Sequence, residues 1–167
     1  MICTDRLDIR PLEEKDIEMI RQWRNLHKES FFDAGEISKE QQRAWYQRYQ
    51  ESGGIDRMFI MCLKDGTPIG QAALYSIDVA MRRAVFGRFL LLEEFRHKGY
   101  AEEAVKAMMD YAFSVLRLHK VKVEVFIENI GAIAIYARAG FQTTAKPIML
   151  MECINPNHDV NKPVILD

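Results

Sequence analysis

The chain of 167 residues has little to tie it to a membrane, a metal or an oxidising compartment. It contains no run of about 18 apolar residues, so no membrane span is expected. Its first 16 residues are charged throughout and lack the apolar centre of a signal peptide, which leaves the cytoplasm as the default location. Cysteine is scarce: Cys3, Cys62 and Cys153 are far apart, odd in number and without a CxxC pair, which argues against a disulfide framework or a zinc site. Cys62 sits in an apolar run and reads as a small buried hydrophobe. The four histidines, His27, His97, His119 and His158, lack metal-ligand spacing, and no metal is expected. Charge of one sign is also lacking. With 23 basic and 24 acidic residues the net charge is −1, which excludes a broad field for nucleic acid but not a local anion site. No GxxxxGK[ST] occurs, which disfavours a nucleoside-triphosphate loop, and there are no repeats, linkers or low-complexity tracts.

What is present is ordinary in bulk: 49% apolar and 28% charged residues, in a length that suits one domain with a substantial core. Alternation around Leu7 and Ile9 predicts a strand over 4–11, stopped by Pro11. Ile17, Ile20 and Trp23 at helical spacing predict a helix over 13–25. Residues 26–36 are irregular and carry Phe31-Phe32. Ser38 followed by Gln41 is a capping box, opening a helix from Lys39 to about Glu51. Strands are expected over 57–63 and 68–76, joined by a turn with Asp65-Gly66 at its centre. A nearly all-apolar strand over 84–92 reads as central and covered on both faces. An amphipathic helix over 101–116 follows, then a strand over 121–127 and a short helix over 129–139 closed by Gly140. Two short strands, 141–145 and 148–154, complete the domain, and the polar tail 155–167 lies beyond it. The fold class is α/β, with a mixed central sheet, flanking helices and the order β-α-α-β-β-β-α-β-α-β-β. The unit around Arg96 is expected to be a right-handed parallel crossover.

The most informative stretch is the loop Arg96-His97-Lys98-Gly99-Tyr100-Ala101, between the apolar strand and the amphipathic helix. A helix N-terminus presents unsatisfied N–H groups and a positive dipole end, both of which favour an anion. Gly99 permits close backbone approach, Ala101 keeps the first turn uncrowded, and Arg96 and Lys98 add charge. Alone, these residues suit a pyrophosphate cradle or an ordinary basic turn equally well.

A second segment, Glu128-Asn-Ile-Gly-Ala-Ile-Ala-Ile-Tyr-Ala-Arg-Ala-Gly-Phe141, follows the next strand. Together the two resemble the GCN5-related N-acetyltransferase superfamily. The family's pyrophosphate loop, Arg/Gln-x-x-Gly-x-Gly/Ala, is matched at Arg96, Gly99 and Ala101. Its N-x-x-A-x-x-x-Y-x-x-x-G-F segment is matched at Asn129, Ala132, Tyr136, Gly140 and Phe141. The resemblance covers about residues 1–154 and implies acetyl transfer from acetyl-CoA to an amine. It implies that backbone near Phe89, Leu90 and Leu91 parts from its neighbour and binds the pantetheine and acetyl carbonyl. It also implies that residues 96–101 take the pyrophosphate, and that Asn129 contacts the pantetheine arm. Tyr136, seven residues on and about two helical turns away, shares the face of Asn129 and is the expected general acid toward the departing thiolate. Direct attack needs no covalent enzyme intermediate, so the lack of a Cys-His pair is no objection.

The expected strand carboxylate is missing: an Ala-Glu-x-Gly context reads Ala84-Val85-Phe86-Gly87 here. Glu124, His119, Asp33 and Glu36 stand as substitutes, and a water chain is an equal alternative. Val85 also leaves room for a non-catalytic acyl-CoA-binding module, against which Tyr136 stands. For the acceptor, Arg24, Phe31 and Phe32, together with Trp23 and Trp45, resemble a branch acting on nucleotide-linked amino sugars, where an Arg fork suits phosphate and aromatic faces suit a base. The same aromatics are equally suited to packing the early helices. N-terminal ribosomal protein amines and polyamines are the alternative acceptors, the latter supported by Asp33 and Glu36. A small-molecule amine is thus the expected partner, with a homodimer as the assembly allowed for.

Overall fold

The computed structural model describes residues 1–28 and 35–143. A six-stranded sheet runs in the order β1 to β6. Its strands are Ile2–Cys3 (β1), Leu7–Pro11 (β2), Arg57–Leu63 (β3), Pro68–Asp78 (β4), Arg83–Leu91 (β5) and Lys120–Val123 (β6). The first five pair antiparallel, and only β5 and β6 pair parallel. That parallel step spans the crossover helix α3, Tyr100–Asp110, as a parallel connection requires. Helices α1, Ile17–Leu26, and α2, Lys39–Gln50, cover one face; α3 and α4, Ile130–Arg138, cover the other.

Local chemistry sets most boundaries as the sequence predicts. Ser38 Oγ accepts from the Gln41 N–H while Gln41 Oε1 accepts from the Ser38 N–H, so both orphan donors at the start of α2 are satisfied. In the β3–β4 turn, Asp65 Oδ1 accepts from the Thr67 N–H at 2.9 Å and Gly66 takes φ 87°. Gly140 follows α4 at φ 92°. Asp16, 4% exposed, takes a two-pronged ion pair from Arg10 (2.6 and 2.7 Å), which fixes the turn Glu14–Asp16 that feeds α1. Burial alone would raise the Asp16 pKa; the Arg10 pair and the Glu13 N–H outweigh it and hold the carboxyl below its ordinary value.

Five expectations need correction. The first strand is shorter, Leu7–Pro11, because Thr4 turns the chain: its main-chain N–H donates to the Leu7 carbonyl and its hydroxyl accepts from the Leu7 N–H, leaving Ile2–Cys3 to fold back as a separate edge strand. The apolar strand β5 is not central but fifth of six among the described residues, and several of its residues are only half-buried. The helix expected to reach residue 116 widens after Asp110 into a π-helical turn, Tyr111–Val115, where Tyr111 Oη accepts from Arg57 Nη1 at 2.7 Å and packs edge-on against Phe59. The strand expected over 121–127 pairs only as far as Val123. Residues 141–143 are not in a strand; residues 144–167, with the last expected strand, the tail and Cys153, lie outside the described residues. Among the described residues no helix is long and apolar enough to cross a membrane.

Two features of β5 build a cleft. Pairing with β4 runs Gln71↔Leu90 and then Ala73↔Gly87, so one residue of β4 faces two of β5, Arg88 and Phe89. This is a β-bulge, and Arg88 adopts φ 48° there. The extra residue shifts the alternation. Phe86, Phe89 and Leu91 point to the α3–α4 face, while Leu90 points to the α1–α2 face. On the other side, parallel pairing stops at Phe86↔Val123, and the strands diverge. The parting strand is braced from β4 by Gly70. A Cβ there would overlap the Leu90 carbonyl oxygen and lie 2.5 Å from Met61 Cε. Gly70→Ala is therefore expected to lower stability by about 3 kcal/mol, a fall of roughly 10 °C in Tm, read by thermal and urea unfolding against the wild type.

Candidate active site

A cleft of about 740 Å³ opens where β5 leaves β6. Its floor is Gly87 to Leu91, one wall is the loop into α3, and the other is the start and inner face of α4. Leu90 and Leu91, 3% and 7% exposed, lie at the buried end of this floor. The β5 edge that would have continued the parallel ladder faces this space, leaving strand-like donors and acceptors for an extended ligand.

The loop has two faces. Arg96, His97, Gly99 and Ala101 line the cleft, with His97 at φ 61° and Gly99 at φ 83°. Arg96 Nε donates to the Leu91 carbonyl at 3.3 Å, tying the loop to the strand end. Lys98 and Tyr100 do not line the cleft. Lys98 Nζ stands over the Phe95 ring at 5.5 Å, and Tyr100 lies under the Arg6 guanidinium at 4.6 Å. Alternating left-handed residues turn these two side chains outward, which the run of residue types does not reveal. Gly99 also differs from expectation: a Cβ there would point at Arg6 Nη2, 3.2 Å away on the outer face, rather than into the phosphate approach.

Positive charge at the loop end of the cleft comes from Arg96 and a residue that sequence reasoning missed, Arg138 on α4. Arg138 Nε donates to Glu102 Oε2 at 2.7 Å, and Lys106 binds Glu102 Oε1 at 2.9 Å. The Lys106 and Arg138 bonds hold the Glu102 carboxyl below its ordinary pKa and neutralise it at the mouth of the loop. Arg138 and Glu102 are 36 residues apart, so no local spacing announces the pair.

Tyr136 lines the cleft from α4 and is 8% exposed. Its ring packs edge-on against Phe86 (centroids 6.1 Å) and Phe141 (5.7 Å). Burial raises its pKa to about 12. Asn129 also lines the cleft, and its side-chain oxygen accepts from the Ala132 N–H at 3.1 Å, capping α4. The motif asparagine thus orients the helix that carries the tyrosine.

On the α1–α2 side stand Tyr75, Gly87, Arg88 and Glu124. A Cβ on Gly87 would meet the Tyr75 ring at 3.0 Å, so this glycine makes room for the phenol. Arg88 Nη1 donates to both Asp56 oxygens at 2.8 Å, and its guanidinium lies 4.7 Å from the Tyr75 ring and 5.9 Å from that of Trp45. Burial raises the Tyr75 pKa, with Arg88 opposing and Glu124 assisting, which sets Glu124 near that phenol. Of the four substitutes for the missing strand carboxylate, only Glu124 lines the cleft. His119 sits beside Arg82, 3.4 Å away; Glu36 is exposed elsewhere; Asp33 lies outside the described residues. Arg24, on α1, does not line the cleft, and Phe31 and Phe32 lie outside the described residues.

Comparison with known proteins agrees with this geometry. Residues 6–142 match the family model described as an acetyltransferase (GNAT) domain. The chain is 31% identical over 143 residues to a spermidine N(1)-acetyltransferase of Escherichia coli, covering 80% of this chain and 71% of the relative. It is 29% identical over 152 residues to a candidate ribosomal N-acetyltransferase of Bacillus subtilis, covering 85% and 81%. Among solved structures, the spermidine N-acetyltransferase of Vibrio cholerae in complex with CoA and spermine superposes with a TM-score of 0.75 at 26% identity, over 82% of this chain and 81% of that one. A further structure of that enzyme is described as dodecameric. The described cleft suits the donor these matches imply, with a strand edge for an extended arm and a cationic helix start for a pyrophosphate. The chain belongs to the GNAT superfamily and is an N-acetyltransferase that uses acetyl-CoA as its acyl donor.

Proposed function

We propose that the protein transfers the acetyl group by direct attack to a primary amine of a polyamine such as spermidine. The observation that carries the acceptor is the 31% identity to a spermidine N(1)-acetyltransferase across most of both chains. The cleft supports it with one carboxylate: Glu124 has no ion pair among the described residues, whereas Glu102 and Asp56 are paired to cations. Glu124 holds the incoming ammonium and takes its proton, a role for which it lies beyond the last paired residue of β6, on the same side as Tyr75 and Gly87.

Acetyl-CoA supplies the activated thioester carbonyl. The edge of β5 from Gly87 to Leu91 aligns the pantetheine arm and offers N–H groups to the carbonyl oxygen as negative charge develops. The inner face of the loop, Arg96, His97, Gly99 and Ala101, holds the pyrophosphate. Tyr136 donates its phenolic hydrogen toward the sulfur. A phenol near 12 is a weaker acid than a thiol near about 8.5, so complete proton transfer is uphill. The hydrogen bond to the charging sulfur is the main contribution.

A second acceptor class, nucleotide-linked amino sugars, draws no support from the relatives named above and would have to meet its phosphate at Arg88. Arg88 commits Nη1 to Asp56 but has no partner for Nε or Nη2 among the described residues, and the rings of Tyr75 and Trp45 lie beside it. Such a group suits a phosphate or carboxylate on the acceptor. An acceptor panel separates the readings. Spermidine and spermine are expected to be turned over with a kcat/KM at least about ten-fold above UDP-linked amino sugars and N-terminal ribosomal peptides. Turnover of the sugars alone would overturn the polyamine assignment.

Tyr136→Phe is expected to lower kcat by about ten-fold or more with the KM for acetyl-CoA nearly unchanged, since it removes a hydrogen bond to a charged atom. An unaltered kcat at saturation would remove the donor role. The same variant tests the pKa. In a spectrophotometric titration the latest tyrosine phase, near 12, is expected to vanish in Tyr136→Phe. Because this pKa is raised from an ordinary 10, its contribution to stability is complete below 10 and is lost as pH rises through about 12.

A further inference from the structure

We propose that Arg6, outside the cleft, is a positioning residue that sets the orientation of the pyrophosphate loop; this rests on the reading of residues 96–101 as that loop. Arg6 follows the Thr4 turn, between β1 and β2. Its Nη1 donates to the Lys98 carbonyl at 2.9 Å, from 92 residues away. The Lys98–Gly99 peptide is trans, so its carbonyl and N–H point in opposite directions. Holding the carbonyl from the outer face aims the Gly99 N–H toward the inner face, where Arg96, His97 and Ala101 line the cleft.

The loop needs such a tie. His97 takes a left-handed conformation, which a non-glycine residue keeps only where neighbours enforce it. Arg6 is itself well fixed. Its Nε donates to Glu103 Oε2 at 2.7 Å, its main-chain N–H donates to Glu103 Oε1 at 3.1 Å, and its guanidinium lies on the Tyr100 ring. Thr4, whose hydroxyl closes the β1–β2 turn, also donates to Glu103. Gly99 completes the fit, because any Cβ would crowd the Arg6 guanidinium.

Arg6 has a second effect through charge. Glu103 sits in the first turn of α3, close to the proposed anion site. Burial would raise its pKa, but the Thr4 and Arg6 bonds outweigh this and keep it ionised. Arg6 offsets that charge, which would otherwise repel a pyrophosphate.

The test compares two donors, acetyl-CoA and S-acetyl-pantetheine, which lacks the pyrophosphate. In Arg6→Ala the KM for acetyl-CoA is expected to rise about ten-fold, equivalent to one lost hydrogen bond, with kcat and the acceptor KM nearly unchanged. With S-acetyl-pantetheine, kcat/KM is expected to match the wild type, which a folding defect would not allow. Arg6→Lys, which keeps one donor, is expected to recover part of the loss. A rise in KM for both donors alike, or for neither, would overturn the proposal. If the wild type itself used the two donors equally well, the pyrophosphate reading of the loop would fail instead.

Discussion

The parallel ladder between β5 and β6 ends at Phe86↔Val123, and everything functional in the molecule depends on that ending. A sheet whose strands stayed paired would have no main-chain edge to offer a ligand. Here the divergence and the bulge at Arg88–Phe89 act together. The bulge bends β5 away, and Gly70 lets β4 stay close enough to support the bent strand. The strained Arg88 backbone is held by neighbours on several sides: the Asp56 pair, two aromatic faces, and the side-chain amide of Gln71 donating to the Arg88 carbonyl at 3.3 Å.

Charge is handled by neutralisation rather than accumulation. The two carboxylates in the first turn of α3, Glu102 and Glu103, are each matched to cations: Lys106 of the same helix and Arg138 of α4 for the first, Arg6 for the second. Arg96 is then the cation that the loop presents to the cleft, in a chain whose net charge is −1. A local field of this kind needs no global excess of one sign.

Features encoded by neighbouring residues were legible in the sequence. The capping box at Ser38 and Gln41, the Asp65-Gly66 turn, the Gly99 entry to α3 and the Gly140 closure of α4 each depend on chemistry within a few residues. The loop that opens α3 at residues 96–101 was legible for the same reason. The rest depends on residues far apart. The segment VKVEVFI alternates through Val125 and stays apolar to Ile127, yet pairing stops at Val123 because its partner turns away. The left-handed bulge residue is Arg88, with the glycine one position earlier, so composition gives no sign of it. Lys98 and Tyr100 read as part of a basic cradle, and the backbone turns them out of it. The acceptor was read from Arg24, which does not reach the cleft, and from Phe31 and Phe32; the similarity to spermidine acetyltransferases favours the polyamine alternative over the nucleotide sugar.

The tyrosine proposed to serve the leaving sulfur is also a wall of the core, wedged between Phe86 of the parting strand and Phe141 just past α4. Chemistry and packing therefore draw on one ring but on different atoms of it. Removing only the oxygen leaves the wedge in place, whereas truncating the ring opens a void between sheet and helix. For this position, phenylalanine keeps the packing and gives up only the hydrogen bond.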